Sequence, residues 1–150
     1  MDTQDFLKPD SLERNSFLWS EARLVVAAVA LLLGGVPPLR FLLPMVGLYG
    51  LVGMILTLAW VISGAASAYL LYRWFTGGKV LFGAHEPLDM GAFFVSAVSG
   101  INLGFTGLMG SNFGMLIFSG RVLFGITALV YLASAAYLWR RWSISGKKIF

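Results

Sequence analysis

The chain has 150 residues, of which 58% are hydrophobic and 12% are charged, and its net charge is +4. Because soluble domains carry about 25% charged residues, this composition excludes a water-soluble globule and predicts a surface that faces a lipid bilayer. With no cysteine and one histidine, His85, we expect no disulfide, no multi-histidine metal or haem site and no cofactor. The basic residues lie at the ends of apolar runs, which argues against nucleic acid as a partner.

A polar arm comes first in the chain, and four apolar runs follow it. The arm covers residues 1–23 and holds five of the seven acidic residues. We expect its Trp19 at the membrane interface and Ser20 as the cap of the first spanning helix. The apolar runs cover residues 24–43, 45–72, 91–109 and 113–139, and two prolines shorten the first. The sequence therefore predicts an all-α integral membrane protein with four transmembrane helices.

A match of the chain with itself at an offset of 68 residues predicts an internal repeat. AYLLYRWFTGGKVLF (residues 68–82) aligns with AYLWRRWSISGKKIF (residues 136–150), with eight of fifteen positions identical. Arg, Trp, Gly and Lys are among the identities, and apolar composition alone does not readily align them. We predict two tandem helical hairpins of the same orientation over 24–82 and 91–150, joined by a cytoplasmic linker over 83–90. Such repeats differ from the inverted repeats of many alternating-access transporters.

Basic and aromatic residues predict how the chain is oriented. Nine of the eleven Lys and Arg residues fall on the side of the two termini, so the positive-inside rule places both termini in the cytoplasm. The predicted membrane-interface anchors are Trp19, Arg73, Trp74, Lys79, Arg140, Arg141, Trp142 and Lys147.

The third apolar run holds the strongest candidate site. It carries a polar stripe beside a small-residue face, at helical spacing: Ser96, Ser99, Asn102 and Thr106 form the stripe, and Ser96, Gly100, Gly104 and Gly107 form the face. The favoured interpretation is packing against another helix. In the alternative, Asn102 and Thr106 line a narrow polar path and replace the hydration of a solute.

The acidic residues and His85 give little indication of a catalytic, metal-binding or proton-transporting site. We expect His85, Glu86 and Asp89 to lie in a solvated turn, because Pro87 disrupts the helical spacing that a metal or acid–base cluster would need. No Asp or Glu falls within a predicted span, which argues against proton-coupled transport. We expect no catalytic site; the weakest hypothesis is a lipid-metabolising enzyme that uses these three residues.

The stretch SGINLGFTGLMG (residues 99–110) resembles the first helix and turn of a family of small uncharacterised bacterial membrane proteins with two helices. The matching positions are Gly100, Asn102, Gly104, Gly107, Leu108 and Gly110, and Leu103 stands where that family has tryptophan. The resemblance covers residues 92–140 and implies a protein of the prokaryotic inner membrane, with no known activity.

Two functional hypotheses follow from the sequence. The first is a non-catalytic accessory or scaffold subunit that docks other membrane helices along its small-residue faces, in a homo-oligomer or a hetero-complex. The second is a small oligomeric channel or facilitator for an ion or solute, lined by Asn102 and Thr106.

Overall fold

The computed structural model describes residues 9–42, 49–117 and 119–150. Its long helices are α1 (Pro9–Leu32), α2 (Tyr49–Thr76), α3 (Pro87–Met109) and α4 (Arg121–Ile144). A short 3-10 helix (Pro38–Leu42) follows α1, and a short α-helix (Phe113–Ile117) precedes α4. Each of the four long helices is long and apolar enough to cross a membrane, which confirms the predicted fold class. The chain is a multi-pass membrane protein.

The four long helices form a ring in which successive helices alternate in direction. Each helix packs against its neighbours in the chain, α1 closes the ring against α4, and α1 also contacts α3 across it. The start of α1, the α2–α3 connection and the C-terminus lie at one end, which we call the terminal end. The 3-10 helix and the α3–α4 connection lie at the other, which we call the loop end.

Apolar side chains cover the outside of the ring. Leu32, Leu58, Val98 and Leu129, one from each long helix, are all more than half exposed. In water such a surface would drive aggregation, whereas a bilayer solvates it without cost. The outer faces of the helices therefore suit contact with lipid.

Helix α1 begins well before the predicted start. Pro9 occupies its first position, where a missing N–H costs nothing, and Asp10 complements the helix dipole. Ser20, the predicted cap, is buried in the middle of the helix, so that prediction is wrong. Glu21 and Arg23 consequently lie inside a candidate span. The expectation that no carboxylate falls within a span is also wrong.

The other helix boundaries differ less from the prediction. α3 begins at Pro87, and it ends at Gly110, which has a φ of 73° and donates its N–H to the carbonyl oxygen of Thr106. Only glycine adopts this left-handed conformation without strain. α4 begins at Arg121, because the short helix occupies the start of the predicted fourth run.

A cluster of large buried side chains fills the terminal end. We call it the aromatic cluster; it consists of Phe17, Leu70, Leu81, Phe82, Phe93, Leu138, Trp142 and Ile149. The ring of Phe17 lies 6.1 Å from that of Phe82 and 5.4 Å from that of Trp142. Phe82 also donates its N–H to the carbonyl oxygen of Ile149 at 2.7 Å. These contacts join the α2–α3 connection to the C-terminal tail and close this end of the ring.

Helices α2 and α4 end in the same way, at positions that the sequence match aligns. Lys79 and Lys147 have φ values of 62° and 66°. Lys79 donates its N–H to the carbonyl oxygen of Trp74 at 2.9 Å, and Lys147 to that of Trp142 at 3.0 Å. The similarity concerns the helix ends. The tandem repeat, and the division into hairpins over 24–82 and 91–150, stay predictions.

Candidate functional site

The small-residue face of α3 packs against α2 of the same chain. A Cβ atom on Gly104 would lie 2.7 Å from the Cα of Gly64, a distance that real Cβ atoms do not reach. Gly100 lies against Ser67 in the same interface, and Gly107 lies against Val61. Because small residues let helix backbones approach this closely in lipid, α2 and α3 form a tight pair. This face is therefore not free to dock a helix from another protein.

The first half of the polar stripe binds Arg23, a residue that the sequence predicts to belong to the polar arm. Arg23 donates from Nη1 to Ser99 Oγ at 2.9 Å, and from Nη2 to the carbonyl oxygen and Oγ of Ser96 at 2.9 and 3.2 Å. Its Nε is buried and has no hydrogen-bond acceptor in residues 9–42, 49–117 and 119–150. The whole residue is only 7% exposed. Ser96 and Ser99 thus hold a buried guanidinium from across the ring.

Arg23 lies near the middle of its span. It precedes the end of α1 at Leu32 by nine residues, or about 14 Å at 1.5 Å per residue. In the described part of the chain, no carboxylate lies within ion-pair distance of Arg23. Glu21 is two residues away on the same helix and so points to a different side. It is itself buried, and within the described ranges neither of its carboxylate oxygens has a hydrogen-bond partner.

The second half of the stripe fixes the α3–α4 connection. Asn102 donates from Nδ2 to Asn112 Oδ1 at 2.8 Å and accepts the N–H of Gly114 on Oδ1 at 2.9 Å. Asn112 in turn accepts the N–H of Met115 at 3.0 Å, which caps the short helix. The Thr106 hydroxyl donates to the carbonyl oxygen of Asn102 within α3.

A cavity of about 580 Å³ lies inside the ring, between all four long helices. It extends from Trp19 and Arg23 to the loop end, where Gly35 and Asn112 contribute to its wall. Its lining includes two cations, Arg23 and the exposed Arg40, and most of the remaining wall is apolar. The uncharged polar side chains of the lining include Ser63, Ser99, Asn102, Thr106, Asn112, Thr127 and Tyr131. This size and lining are typical of sites for small molecules.

The ring is closed between Arg23 and the terminal end. Trp19 donates its Nε1–H to Ser63 Oγ at 3.0 Å, which ties α1 to α2 at the inner limit of the cavity. The aromatic cluster fills the space between this contact and the terminal end. The cavity therefore has no opening towards the terminal end.

Two of the predicted interface anchors form ion pairs with buried carboxylates. Arg141 donates from Nε and Nη2 to the two oxygens of Asp89, both at 2.7 Å, and Tyr137 donates its hydroxyl to Asp89 Oδ1 at 2.8 Å. Arg73 donates to Glu13 Oε2 at 3.1 Å. Each pair joins the start of one helix to the end of the next, α1 to α2 and α3 to α4.

The remaining anchors divide into exposed and buried residues. Lys79, Arg140 and Lys147 are exposed at the terminal end, where the prediction puts them. Trp19 is exposed but donates a hydrogen bond to α2, Trp74 packs against Phe93 of α3, and Trp142 is buried in the aromatic cluster. An indole at a helix end is therefore not always at the lipid interface, because some of these rings fill the core.

The segment around His85 does not form a cluster. His85 and Glu86 are exposed, whereas Asp89 is fully buried on α3 beside Arg141. The expectation of a solvated turn is therefore wrong for Asp89. No group of three or more His, Asp or Glu side chains in the described ranges is placed to hold a metal ion.

The role of Asn102 in the α3–α4 connection is testable. In Asn102→Ala, Gly114 loses its acceptor and Asn112 loses a donor, so we expect hydrogen–deuterium exchange at the Gly114 amide to accelerate about tenfold. Thr106→Val is the control, because among the described residues the Thr106 hydroxyl bonds only to the carbonyl oxygen of Asn102 within α3. Equal exchange in both variants would show that Asn102 does not hold the connection.

Comparisons of the chain with protein-family models, with curated proteins and with solved structures found no match. The resemblance over residues 92–140 stays a prediction.

Proposed function

We propose that the protein is a non-catalytic membrane protein that binds a small amphipathic molecule in the cavity between its four helices. The observation that carries this proposal is the cavity itself, with apolar walls and a few polar groups inside the ring. Binding sites for small molecules combine these two features, since the walls supply affinity and the polar groups fix the orientation of the ligand.

The cavity also bears on the two hypotheses from the sequence. Asn102 and Thr106 line it, as a channel would require, but the aromatic cluster blocks the terminal end. Transport through the ring would therefore require that cluster to separate. The accessory-subunit hypothesis relied on Gly100 and Gly104, which contact α2 of the same chain. Assembly with other membrane helices would thus use another face.

For the orientation, we propose that the terminal end faces the cytoplasm of a prokaryotic cell, with the cavity towards the outer side of the inner membrane. Of the ten Lys and Arg residues in the described ranges, seven lie at the terminal end, two at the loop end, and Arg23 between them. This distribution supports the proposal through the positive-inside rule.

A cavity-filling variant tests the proposed function. The protein is purified in digitonin, a neutral detergent with a bulky tail, and its thermal midpoint is followed by tryptophan fluorescence during titration with dodecanol, dodecanoate or dodecyl phosphate. A ligand that binds the folded state raises the midpoint. We expect at least one probe to do so for the unmodified protein, and the effect to disappear in Ala27→Phe, because Ala27 lines the cavity.

The matched control is Ala133→Phe, which adds the same ring on the exposed side of α4 and keeps the response. Should Ala27→Phe not fold, the smaller change Ala30→Leu fills another part of the cavity wall. The proposal is overturned if no probe raises the midpoint, or if the cavity variants respond as the unmodified protein does.

A further inference from the structure

We infer that the molecule bound in the cavity carries an anionic headgroup, a carboxylate or a phosphate, and that Arg23 binds this group. The inference rests on the proposed function and identifies the class of ligand. It follows from three observations: the charge of Arg23, which forms no ion pair in the described part of the chain, its unused donor, and the apolar walls beyond it.

The first observation is the electrostatic position of Arg23. A guanidinium stays protonated in proteins, and its charge is costly to hold near the middle of a membrane unless a counter-charge is close. Ser96 and Ser99 accept its hydrogen bonds but carry no charge. Intramembrane arginines in this situation commonly mark a functional site. An anion bound in the cavity would supply the missing counter-charge.

Glu21 is the obvious internal candidate for that counter-charge, and its position argues against it. It lies one turn after Phe17 and three residues before Leu24, on a buried stripe of α1. Arg23 lines the cavity and Glu21 does not. The two side chains form no ion pair, and neither carboxylate oxygen of Glu21 has a hydrogen-bond partner among the residues that the structure describes.

The second observation is the donor that Arg23 leaves unused. A guanidinium has five N–H groups in a planar fork. The contacts with Ser96 and Ser99 use one N–H of Nη1 and those of Nη2, so the second N–H of Nη1 has no acceptor among the described residues, and Nε–H is buried. Carboxylates and phosphates present two oxygens at the spacing that such a fork recognises. The serines thus fix the orientation of the guanidinium and leave a donor for the ligand.

The third observation is the wall of the cavity beyond Arg23. Val26, Leu103 and Phe124 line it towards the loop end. Arg40 and Asn112 lie at the loop end of the lining, and a small inorganic anion held at Arg23 would lose its hydration shell against these apolar side chains. A molecule with an apolar chain would instead bury that chain against these side chains while its headgroup binds Arg23. The geometry therefore favours an amphipathic anion over a free ion.

The headgroup preference of the unmodified protein is the first test. The titrations in digitonin compare dodecanoate, dodecyl phosphate and dodecanol, which share one chain, with inorganic phosphate, which has none. We expect at least one of the two amphipathic anions to bind about tenfold more tightly than dodecanol, the scale of a charge-assisted hydrogen bond. The stronger of the two identifies the headgroup, and inorganic phosphate is expected to have no effect.

Variants of Arg23 form the second test. Arg23→Met keeps most of the length of the side chain without the charge, and we expect it to bind the anions no more tightly than dodecanol. If this variant does not fold, Arg23→Lys keeps the charge without the fork, and the preference should decrease but not vanish.

The possible failures are distinguishable. If dodecanol binds as tightly as both anions, or if Arg23→Met keeps the preference, the inference about Arg23 is overturned and the proposed function stands. If inorganic phosphate binds as tightly as dodecyl phosphate, the site takes a free anion, and the amphipathic ligand is wrong. If no probe binds, the proposed function itself fails.

Discussion

Replacing Gly104 by alanine is expected to lower the free energy of unfolding by about 3 kcal/mol, at the upper end of the range for overpacking. The new methyl group would lie 2.7 Å from the Cα of Gly64. That neighbour is backbone, so it cannot move aside as the end of a flexible side chain can. The whole of α2 would have to shift away from α3, and the contacts of Gly100 and Gly107 with α2 would loosen as well. Thermal or denaturant unfolding in detergent measures the effect.

Gly125→Ala is the matched control, because it makes the same chemical change within a long helix. No atom lies within 4 Å of the position that its Cβ would take. We expect its stability to stay within about 0.5 kcal/mol of the unmodified protein. Equal stability of the two alanine variants would contradict the close approach of α2 and α3.

The same glycines show how far the sequence predicts this fold. Apolar runs of sufficient length predict four spanning helices, because a bilayer requires such runs. The spacing of Gly100 and Gly104 predicts a packing face on α3. It does not identify the partner, because any helix with a small-residue face would fit. That α2 of the same chain is the partner follows only from the three-dimensional arrangement.

The candidate site was less predictable. Hydropathy assigns Glu21 and Arg23 to a polar arm, since charged residues are rarely placed within a span. Ser96 and Ser99 accept hydrogen bonds from Arg23 and so lower the cost of burying its guanidinium. Both serines lie more than 70 residues away in the chain. One local signal was present: Trp19, Arg23 and Val26 follow helical spacing and all line the cavity. Extending this helical spacing from the first apolar run back into the polar arm would have predicted a longer α1.

Arg141→Leu is expected to destabilise the protein strongly, because it leaves the buried carboxylate of Asp89 without its cationic partner. Arg141 supplies two of the three hydrogen bonds that Asp89 accepts, and the side chain of Asp89 is 0% exposed. Without Arg141, the carboxylate keeps only the hydroxyl of Tyr137 and cannot reach water. Asp89→Leu is expected to cost less, because the Arg141 side chain is 27% exposed and its charged end can move to the lipid–water interface.

The double variant Arg141→Leu with Asp89→Leu separates this explanation from a general loss of packing. Removing both charges leaves no carboxylate stranded in the interior, so the double variant should be more stable than Arg141→Leu alone. The pair of Arg73 and Glu13 gives the comparison within the same molecule. It has one hydrogen bond of 3.1 Å, and the Arg73 side chain is 34% exposed. Arg73→Leu should therefore cost less than Arg141→Leu. If the double variant were no more stable than Arg141→Leu, the stabilisation would come from the packing of the arginine stem and not from neutralisation of Asp89.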